Sequence, residues 1–452
     1  MSVRRHLLIY LVTVLACVST RFQLFIPGKN WRLSLAELVS FLEDRRIKFA
    51  VCSVSKEFFV VSVEEKVGAS IIGDLGGTIK IGDSAATFST EIVKRAFLQK
   101  DREAQAQIGR DIATSGLVDE MLKAESEKIL FGVSVYCAEK SLRPVSKVIQ
   151  RFIGSSIKRG LAGYGKKSKF MGFAKDRKLP QLSHVEVLKK NLAENKAEIL
   201  FCIGKEQTWI STTVAVHNPF EFQKRDIGKP NQRKIFAMPP RVARIMVNLA
   251  SCTSGKLLLD PFCGVGTILQ EALLAKARVV GMDINPWCVK AAEENLEWLK
   301  KEYGLAEAEF RVLKGDACRL AQKIGQEQVD CVATEPDLGP ALRHVPTTPY
   351  AVKIIEKLEP LYFGFVEEAF KVLRKNGKLM LVTPYIQTRS GKPVTMGIEG
   401  KVVEIDFQRV YPFKGEFFAD DANMPEDLGA MTSLVDAEKR HKIGREIHIF
   451  QK

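Results

Sequence analysis

The sequence predicts an α/β protein with a doubly wound parallel sheet in its second half and two smaller α/β units in its first half. In the second half, short apolar strands alternate with helix-length segments. In the first half, paired strand patterns accompany single amphipathic helices, and no repeat of fixed period is present. The chain has 452 residues, 46% of them hydrophobic, which is enough for roughly two to four domains with sizeable cores.

Residues 21–83 predict the first α/β unit. It begins with the strand "RFQLFI" and the amphipathic helix "SLAELVSFLEDRR", and it ends with a strand pair and the glycine-broken segment "SIIGDLGGTIKIG". Residues 84–216 predict a mainly helical connector and a second unit, with the strands "KILFGVSVY", "AEILFCIG" and "TWISTTVAV" and two helices that start at Val145 and His184. The polar segment 217–236 lacks clear periodicity and is predicted to be a linker.

Residues 237–452 predict the doubly wound unit. Its strands are "KLLLD", "RVVGMD", "FRVLKGD", "VDCVATEP" and "KLMLVTP", and they are separated by helix-length segments. The segments "KVVEIDFQRVYPF" and "REIHIF" are predicted to add two final strands at an edge of the sheet.

The first 20 residues have a basic start, an apolar run over residues 7–18 and small residues after it. This pattern is typical of a secretory leader, but an extra first strand, or a start codon upstream of the true one, gives the same pattern. The run is too short for a comfortable membrane span.

Nine cysteines are spread along the chain without C-x-x-C spacing, and most lie in apolar runs such as "FAVCSV" and "VDCVAT". Such cysteines are typical of buried, reduced thiols and not of a disulfide framework or a zinc site. We therefore expect a cytoplasmic protein without a metal ion or a membrane anchor.

The excess positive charge of the chain is confined to its first half. Residues 1–236 contain 39 basic and 24 acidic side chains, residues 237–452 contain 29 of each, and the net charge is +15. A basic module joined to a neutral one is typical of a protein that binds a polyanion. A basic, solvated surface without a ligand is the alternative.

The stretch "KLLLDPFCGVGTILQEALLA" (256–275) predicts a strand, a glycine turn and a helix. Asp260 ends the strand, and Thr267 lies near the start of the helix. Between them, Gly264 and Gly266 permit a tight turn that a ligand can approach closely. Leu269 occupies the place of the third glycine in the dinucleotide fingerprint, so the pattern does not indicate a pyrophosphate-bearing cofactor.

Two further acidic residues end the next two strands. Asp283 ends "VVGMD", where a carboxylate can bind ribose hydroxyls, and Asp316 ends "VLKGD", within reach of an adenine amine. Three carboxylates in one crevice at the switch point of the sheet would repel phosphates and suit a cationic nucleoside. The predicted cofactor is therefore S-adenosylmethionine; the alternative is that these acids only cap helices.

The motifs "DPFCGVGT", "GMDIN" and "KGDA", the linker ending "RDIGKP" and the segment "KIFAMPPRVARIMVNLA" (234–250) resemble those of the THUMP-containing tRNA guanine-N2 methyltransferases. This family modifies guanosine 10 in archaeal and eukaryotic tRNA, and the resemblance spans about residues 21–452. It implies an α/β chain with a C-terminal Rossmann-like methyltransferase domain, preceded by ferredoxin-like and THUMP RNA-binding domains. In the family, segment 234–250 folds over the methionine end of the cofactor. The cofactor-binding candidates are Asp260, Phe262, Gly264, Gly266, Thr267, Asp283, Ile284, Asp316, Ala317, Phe236 and Met238.

The resemblance also implies that the N-terminal half grips the acceptor stem and 3′ end of tRNA. Segment 156–178 supports RNA binding independently, because it has eight basic side chains, one acidic one, glycines expected to make it mobile, and the rings of Tyr164, Phe170 and Phe173. Cations interleaved with rings suit phosphates and unpaired bases, although a charge run is more often only a solvated loop. The candidate RNA contacts are Lys158, Arg159, Lys166, Lys167, Lys169 and, in the linker, Arg225.

The string "ATEPDLGPALR" (333–343) follows the fourth strand of the second half. A guanine N2 amine is a poor nucleophile, and an enzyme can activate it by accepting both of its hydrogens while the base is held in line with the methyl group. In the family, an Asp (or Asn)-Pro-Pro-aromatic motif does this, and the ring stacks on the base. The resemblance makes Glu335, Pro336 and Asp337 the catalytic candidates, with Glu335 as acceptor. Asp337 replaces the second proline of that motif, and Leu338 replaces the aromatic residue.

Two interpretations follow from this departure. In the first, the site still methylates an exocyclic amine, and a nearby ring such as Tyr350 or Tyr385 stacks on the base. In the second, the position or the nucleobase differs, or the activity is lost. The sequence thus predicts a methyltransferase for a guanine N2 in tRNA, most closely the position-10 group. A THUMP methyltransferase for another tRNA or ribosomal RNA site and a silent RNA-binding protein are the alternatives, and the need for an activating subunit stays open.

Overall fold

The computed structural model describes residues 21–124, 126–172, 179–233, 238–420, 424–438 and 441–452. The leader-like segment 1–20 and the cofactor candidate Phe236 lie outside these residues. Within the described residues, no helix combines the length and the apolar character needed to cross a membrane. The eight cysteines that fall in the described ranges are all free thiols.

The first half of the chain forms one eight-stranded mixed sheet from its described residues. In chain order the strands are β1 (Arg21–Pro27), β2 (Phe49–Val54), β3 (Phe59–Val63), β4 (Thr78–Ser89), β5 (Lys128–Cys137), β6 (Lys167–Met171), β7 (Glu198–Ile203) and β8 (Gln207–Val216). Their spatial order is β2-β3-β1-β4-β8-β7-β5-β6, and β5 is parallel to β6 and β7. The predicted boundary at residue 83 lies inside β4, which joins the two predicted units through its pairing with β1 and β8. The division into ferredoxin-like and THUMP domains stays a prediction.

Helices of the first half lie where amphipathic patterns were predicted. They are α1 (Trp31–Asp44), α2 (Thr90–Phe97), α3 (Arg102–Thr114), α4 (Leu117–Leu122), α5 (Ser146–Gly163) and α6 (His184–Lys189). The last of these is shorter than the segment "HVEVLKKNLAEN" (184–195), which predicts a longer helix. The helix ends early because the backbone turns left-handed at Asn191, where φ is 51°. A left-handed residue cannot continue a right-handed helix.

The second half forms a nine-stranded sheet, again counted over the described residues. The strands are β9 (Leu257–Asp260), β10 (Arg278–Asp283), β11 (Phe310–Lys314), β12 (Val329–Thr334), β13 (Leu373–Ile386), β14 (Val394–Thr395), β15 (Gln408–Arg409), β16 (Leu434–Asp436) and β17 (Ile443–Gln451). Their main spatial order is β11-β10-β9-β12-β13-β17-β15, with β14 beside β13 and β16 beside β17. β9 to β13 are parallel, and β17 is antiparallel to β13. The strand order reverses between β9 and β12, so the predicted doubly wound, Rossmann-like sheet is confirmed.

Two predictions for residues 217–452 were wrong in detail. The helices are α7 (Pro219–Ile227), α8 (Pro240–Leu249), α9 (Thr267–Leu274), α10 (Pro286–Glu302), α11 (Leu320–Ile324), α12 (Thr348–Val372), α13 (Ile398–Glu404) and α14 (Glu426–Gly429). α7 lies in the segment predicted to be an irregular linker, where Asn218 caps its first turn by accepting a hydrogen bond from the backbone N–H of Phe220. α13 replaces the start of a predicted strand: Ile398 and Val402, one turn apart, are buried, whereas Val403 is exposed, which is the pattern of a helix.

The two halves share one hydrophobic core, to which α1 and α8 both contribute. The buried carboxylate of Glu37 in α1 accepts hydrogen bonds from the backbone of Gly76 and Gly77 and from Asn248 Nδ2 in α8, each at 2.7 Å. Burial raises the pKa of Glu37 to about 7, against the opposing effect of these hydrogen bonds. The basic half is therefore fixed against the second half by packing and by buried polar contacts.

Candidate active site

The three predicted carboxylates lie at one edge of the second sheet. Gly281 of β10 is in register with Asp260 of β9, so Asp283 extends just beyond it. Asp283 pairs with Lys314 at the end of β11, and Asp316 follows two residues later. Because the strands are parallel and adjacent, all three side chains arise at their carboxyl ends, beside the point where the strand order reverses.

The glycine turn after β9 is tied to β10 by Asp283. Its Oδ2 accepts a hydrogen bond from Gly264 N at 2.9 Å, and its Oδ1 accepts one from Asn285 N at 2.8 Å. Gly264 and Gly266 have φ values of 53° and 84°, which residues other than glycine rarely adopt. A Cβ at position 266 would lie 3.3 Å from the Cβ of Ala292 in α10. The turn thus needs glycine for its conformation and for its close approach to α10.

Asp260 is the most buried of the three acids. Its Oδ1 accepts a hydrogen bond from Thr334 Oγ1 of β12 at 2.7 Å and another from Phe262 N at 3.2 Å. Burial raises the pKa of Asp260 to about 7, because desolvation outweighs these two contacts. The ring of Phe262 packs edge-to-face on Phe365 of α12, with 5.2 Å between ring centroids.

Beyond Asp283 the crevice is open to solvent. Ile284 is 70% exposed and Trp287 is 51% exposed, which places two large apolar side chains beside a half-buried carboxylate. Asp316 is exposed, and its Oδ1 accepts a hydrogen bond from Cys318 N at 2.9 Å, while Ala317 is buried. A carboxylate offers about four acceptor positions, so both side chains keep some capacity to accept further hydrogen bonds.

A small cavity lies against the glycine turn. Its lining includes Met238, Phe262, Thr267 and Glu335 from the predicted set, together with Arg233. Thr267 Oγ1 accepts a hydrogen bond of 2.9 Å from the buried Nζ of Lys229. Arg233 and Lys229 were not predicted to belong to the site, since both stand among the charges of a segment predicted to be a linker.

Glu335, the predicted acceptor at the end of β12, forms a bidentate ion pair. Arg445 of β17 donates from Nε to Oε2 and from Nη2 to Oε1, the latter at 3.2 Å. Both side chains are only 11–12% exposed, and Asp436 lies 3.9 Å from the same guanidinium. The sequence did not predict this partner. Arg445 occupies one lone pair on each carboxylate oxygen, and the acceptor role of Glu335 stays a prediction.

The other three residues of the tetrapeptide differ in burial. Pro336 and Leu338 are buried, whereas Asp337 is exposed and accepts a hydrogen bond from Gly339 N at 3.0 Å. Tyr362 of α12 donates its hydroxyl to the backbone oxygen of Asp337 at 3.0 Å. Leu338, which replaces the aromatic residue of the family motif, is only 8% exposed and belongs to the buried core, so it offers little surface to a base.

Of the two rings expected to replace the missing aromatic residue, Tyr350 shares a cavity with the Glu-Pro-Asp-Leu segment and Tyr385 does not. Tyr350 is 51% exposed and lines a cavity together with Asp337. Tyr385 lies within the paired part of β13, opposite Gly444 of β17 and Thr395 of β14, and it does not line that cavity.

Most of the predicted RNA contacts lie on the surface, but not in a mobile loop as expected. Lys158 and Arg159 are in α5, and Lys167 and Lys169 are in the edge strand β6, all exposed; Lys166 between them is half-buried. The ring of Phe170 packs on Phe131 and over Gly154, so it is not free to stack on a base. Tyr164 is 62% exposed, and Phe173 lies outside the described residues.

Arg225 was wrongly predicted to contact RNA. It is buried, and its Nε donates to Glu271 Oε1 of α9 at 2.6 Å. Arg244 of α8 donates to the other oxygen of Glu271 at 2.9 Å. Arg225 therefore fixes α7 to the second half, which a count of charges along the sequence cannot show.

No group of three or more His, Cys, Asp or Glu side chains in the described ranges is arranged to hold a metal ion. The site is built instead from carboxylates that bind backbone N–H groups and cations.

Family comparisons agree with this architecture. The UPF0020 family model, described as an RMKL-like methyltransferase domain, matches residues 230–389, and a model described as a DNA methylase matches residues 146–294. Three relatives are named tRNA (guanine(10)-N2)-dimethyltransferase. The protein from Methanothermobacter thermautotrophicus is 36% identical over 161 residues, which are 35% of this chain and 43% of the relative. The Pyrococcus abyssi protein is 29% identical over 235 residues, covering 52% of this chain and 64% of the relative.

The third relative, from Methanocaldococcus jannaschii, is 30% identical over 279 residues, covering 56% of this chain and 74% of the relative. The chain belongs to the tRNA (guanine(10)-N2)-dimethyltransferase family. The predicted resemblance is thus confirmed at the level of the family. The matches span less than half of the Methanothermobacter relative and just under two thirds of the Pyrococcus one.

Proposed function

We propose that the chain is an S-adenosylmethionine-dependent methyltransferase that modifies the exocyclic N2 of guanosine 10 in tRNA. The observation that carries the proposal is the crevice in which Asp260, Asp283 and Asp316 end adjacent strands beside the Glu-Pro-Asp-Leu end of β12. The shared name of three relatives supports the substrate and the position.

The residues in the crevice fit a cationic nucleoside better than a nucleotide with phosphates. The exposed Ile284 offers an apolar surface to one face of an adenine, and Asp283 offers a carboxylate to ribose hydroxyls. A positive charge next to Asp260 would stabilise its ionised form against the cost of burial. The exposed guanidinium of Arg233, on the same cavity, suits the carboxylate of a methionine moiety.

Bound there, S-adenosylmethionine supplies an electrophilic methyl group. The chain's own residues position the amine that receives it. The backbone carbonyl of Pro336 and the exposed carboxylate of Asp337 are acceptors for the amine hydrogens at the end of β12. Accepting these hydrogens draws the lone pair of N2 out of the ring, and Asp337 can take up the proton that the amine releases.

Glu335 has a narrower role in this proposal than the sequence predicted. A carboxylate offers about four acceptor positions, and Arg445 uses two of them. Glu335 can still accept one hydrogen from the amine, while the bidentate pair fixes the orientation of its carboxylate and thereby the end of β12.

The basic half is assigned to tRNA binding in this proposal, with Lys158, Arg159, Lys166, Lys167 and Lys169 as contacts to phosphates. Its assignment to ferredoxin-like and THUMP domains, and a cytoplasmic location, belong to the same proposal. Because the two halves share a core, a tRNA held on the basic surface would lie in a fixed orientation relative to the crevice.

The test is transfer of tritiated methyl groups from S-adenosylmethionine by the purified full chain. Unmodified tRNA transcripts with guanosine at position 10 should be labelled, and matched transcripts with adenosine there should not be. Mass spectrometry of the nucleosides should then find N2-methylated guanosine, and will distinguish one methyl group from two. Label in ribosomal RNA alone would move the substrate to another RNA, and cofactor binding without transfer to any RNA would identify a silent protein.

A further inference from the structure

A second, larger cavity adjoins the proposed site. Its volume is about 440 Å³, and it lies between the segment after β12 and the first turns of α12. Its lining residues are Asp337, Gly339, Pro340, Tyr350, Lys353, Ile354, Lys357 and Leu358. Asp337 connects it to the Glu-Pro-Asp-Leu segment, whereas Glu335 lines the smaller cavity against the glycine turn.

One wall of this cavity is a single face of α12. Tyr350, Lys353 and Lys357 follow one another at spacings of three and four residues, so they lie along the same side of the helix. Ile354 and Leu358 on that side are buried and form an apolar floor. The wall therefore presents one ring and two cations above an apolar base.

The opposite wall is held rigidly. Gly339 has a φ of 103°, and a Cβ at this position would lie 2.9 Å from Ile354 Cγ2. Tyr362 binds the backbone oxygen of Asp337, and Asp337 binds Gly339 N. The loop can adopt this path only with glycine at position 339. It is bound to α12 by the hydroxyl of Tyr362 and braced by its own Asp337–Gly339 hydrogen bond, so the cavity is formed before any ligand enters.

The two lysines on the cavity face of α12 have no polar partner among the described residues. Lys353 and Lys357 are exposed, and within the described part of the chain neither takes part in an ion pair or hydrogen bond. The ring of Tyr350 is 51% exposed beside them. An aromatic ring next to unpaired cations is the arrangement that binds single-stranded nucleic acid, with the base on the ring and the phosphates at the cations.

We propose that this cavity binds an unpaired nucleotide of the substrate RNA that is a neighbour of the methylated guanosine. Its base stacks on Tyr350, and its phosphates lie at Lys353 and Lys357, away from the carboxylate of Asp337. The methylated base lies at the cofactor crevice, with its amine between Glu335 and Asp337. Tyr350 does not line that crevice, so its ring is left for the adjacent nucleotide. The inference rests on the proposed function for the identity of the RNA, but the binding it predicts is measurable without catalysis.

The experiment measures the affinity of a fluorescein-labelled tRNA transcript for the full chain by anisotropy, alongside methyl transfer. Tyr350→Leu should weaken binding and lower kcat/KM for tRNA by about 10- to 100-fold, because a base loses its stacking surface. Tyr350→Phe keeps the ring and should stay within about threefold of wild type. The Lys353→Gln/Lys357→Gln variant should reduce the slope of log affinity against log salt concentration by about 1.4, at roughly 0.7 for each single-strand phosphate contact.

Matched controls lie at the other end of the sheet. Tyr411 is 47% exposed, and Tyr411→Leu removes a comparable ring; Lys301 and Lys375 are exposed, and Lys301→Gln/Lys375→Gln removes the same charge. Both controls should bind RNA like wild type, and all variants should bind S-adenosylmethionine equally in calorimetry.

The outcomes separate this inference from the proposed function. Wild-type RNA affinity and salt slope in both the Tyr350→Leu and the double lysine variant would overturn it, whether or not the wild type methylates tRNA. Weakened binding in these variants supports it, even if the wild type transfers no methyl group. Equal losses in the variants and in their controls would also overturn it, because a general charge or folding effect would then explain them.

Discussion

The cofactor side and the acceptor side of the crevice are built in different ways. On the cofactor side, Asp283 holds the glycine turn through backbone N–H groups, and Gly264 is only 19 residues away in the chain. On the acceptor side, Glu335 is held by Arg445, which is 110 residues away on an antiparallel strand. One side depends on a contiguous strand–turn–helix unit, and the other depends on a mostly buried ion pair between distant strands.

The two sides should therefore respond differently to substitutions. A contiguous unit retains its shape as long as its glycines and its carboxylate are present, so damage there should affect ligand affinity before stability. A buried ion pair carries a large desolvation cost, and losing one partner leaves a charge without compensation. Damage on the acceptor side should therefore appear first in the stability of the fold.

The largest expected effect is that of Arg445→Met. It leaves the carboxylate of Glu335 mostly buried and unpaired, which should lower the free energy of unfolding by about 3 to 5 kcal/mol in urea titrations. The matched control is Arg445→Met/Glu335→Gln, which removes both charges and should recover most of that loss. If the double variant were as unstable as the single one, packing and not charge would account for the role of Arg445, and the two sides would not differ as described.

A smaller effect is expected on the cofactor side. Asp283→Ala removes the acceptor for Gly264 N and Asn285 N together with the predicted ribose contact. Affinity for S-adenosylmethionine should fall about 100-fold, or about 2.7 kcal/mol, while the urea midpoint changes little. Asp316→Ala, at an exposed acid with one backbone contact, should cost about tenfold. Unchanged affinity in Asp283→Ala would remove the carboxylate from the cofactor site.

The same contrast explains what the sequence could predict. The cofactor side comes from the ends of two successive strands: Asp260 ends β9, the two glycines follow it, and Asp283 ends β10. Because β9 and β10 are parallel neighbours, these residues must meet at one edge of the sheet. The partner of Glu335 was not predictable in this way. "REIHIF" was predicted to be a strand, but only its antiparallel pairing with β13, which places Arg445 opposite Pro384, brings the guanidinium to the site.

In the first half, strands and helices were predictable from periodicity, but the use of individual side chains was not. Arg225 and Lys229 looked like ordinary linker charges, yet each is buried against a partner in α9. Phe170 looked like a stacking ring, yet it packs over Gly154 in the core beside β5. Burial of a single side chain depends on contacts far along the chain, and no local pattern encodes them.

Protonation of Asp260 should make the stability of the cofactor side depend on pH. Its pKa is about 7 in the folded chain and about 3.9 in an unfolded one, so between these values the folded state binds more protons than the unfolded state. Stability should therefore fall as pH rises from about 4 to 7, by at most about 1.4 kcal/mol per pH unit from this group. Glu37 contributes in the same direction, so the measurement is the difference between wild type and Asp260→Asn in urea titrations at pH 5 and 6. Equal slopes for the two proteins would mean that Asp260 is already ionised in the fold.

The smallest expected effect separates RNA binding from both sides of the crevice. Lys166→Gln/Lys167→Gln/Lys169→Gln removes three charges from the basic surface around β6. The affinity for tRNA should fall roughly tenfold at moderate salt. The slope of log affinity against log salt concentration should decrease by up to about 2.7, which corresponds to three phosphate contacts on a duplex. Neither the affinity for S-adenosylmethionine nor the urea midpoint should change. Lys167 and Lys169 are exposed, and their strand β6 belongs to the eight-stranded sheet of the first half, not to the sheet that forms the crevice. A control at Lys301 and Lys375 removes charge from the second half without touching this surface. If that control reduced the slope as much as the β6 variant did, net charge alone would attract the RNA, and the basic half would have no specific place in orienting a tRNA toward Glu335 and Asp337.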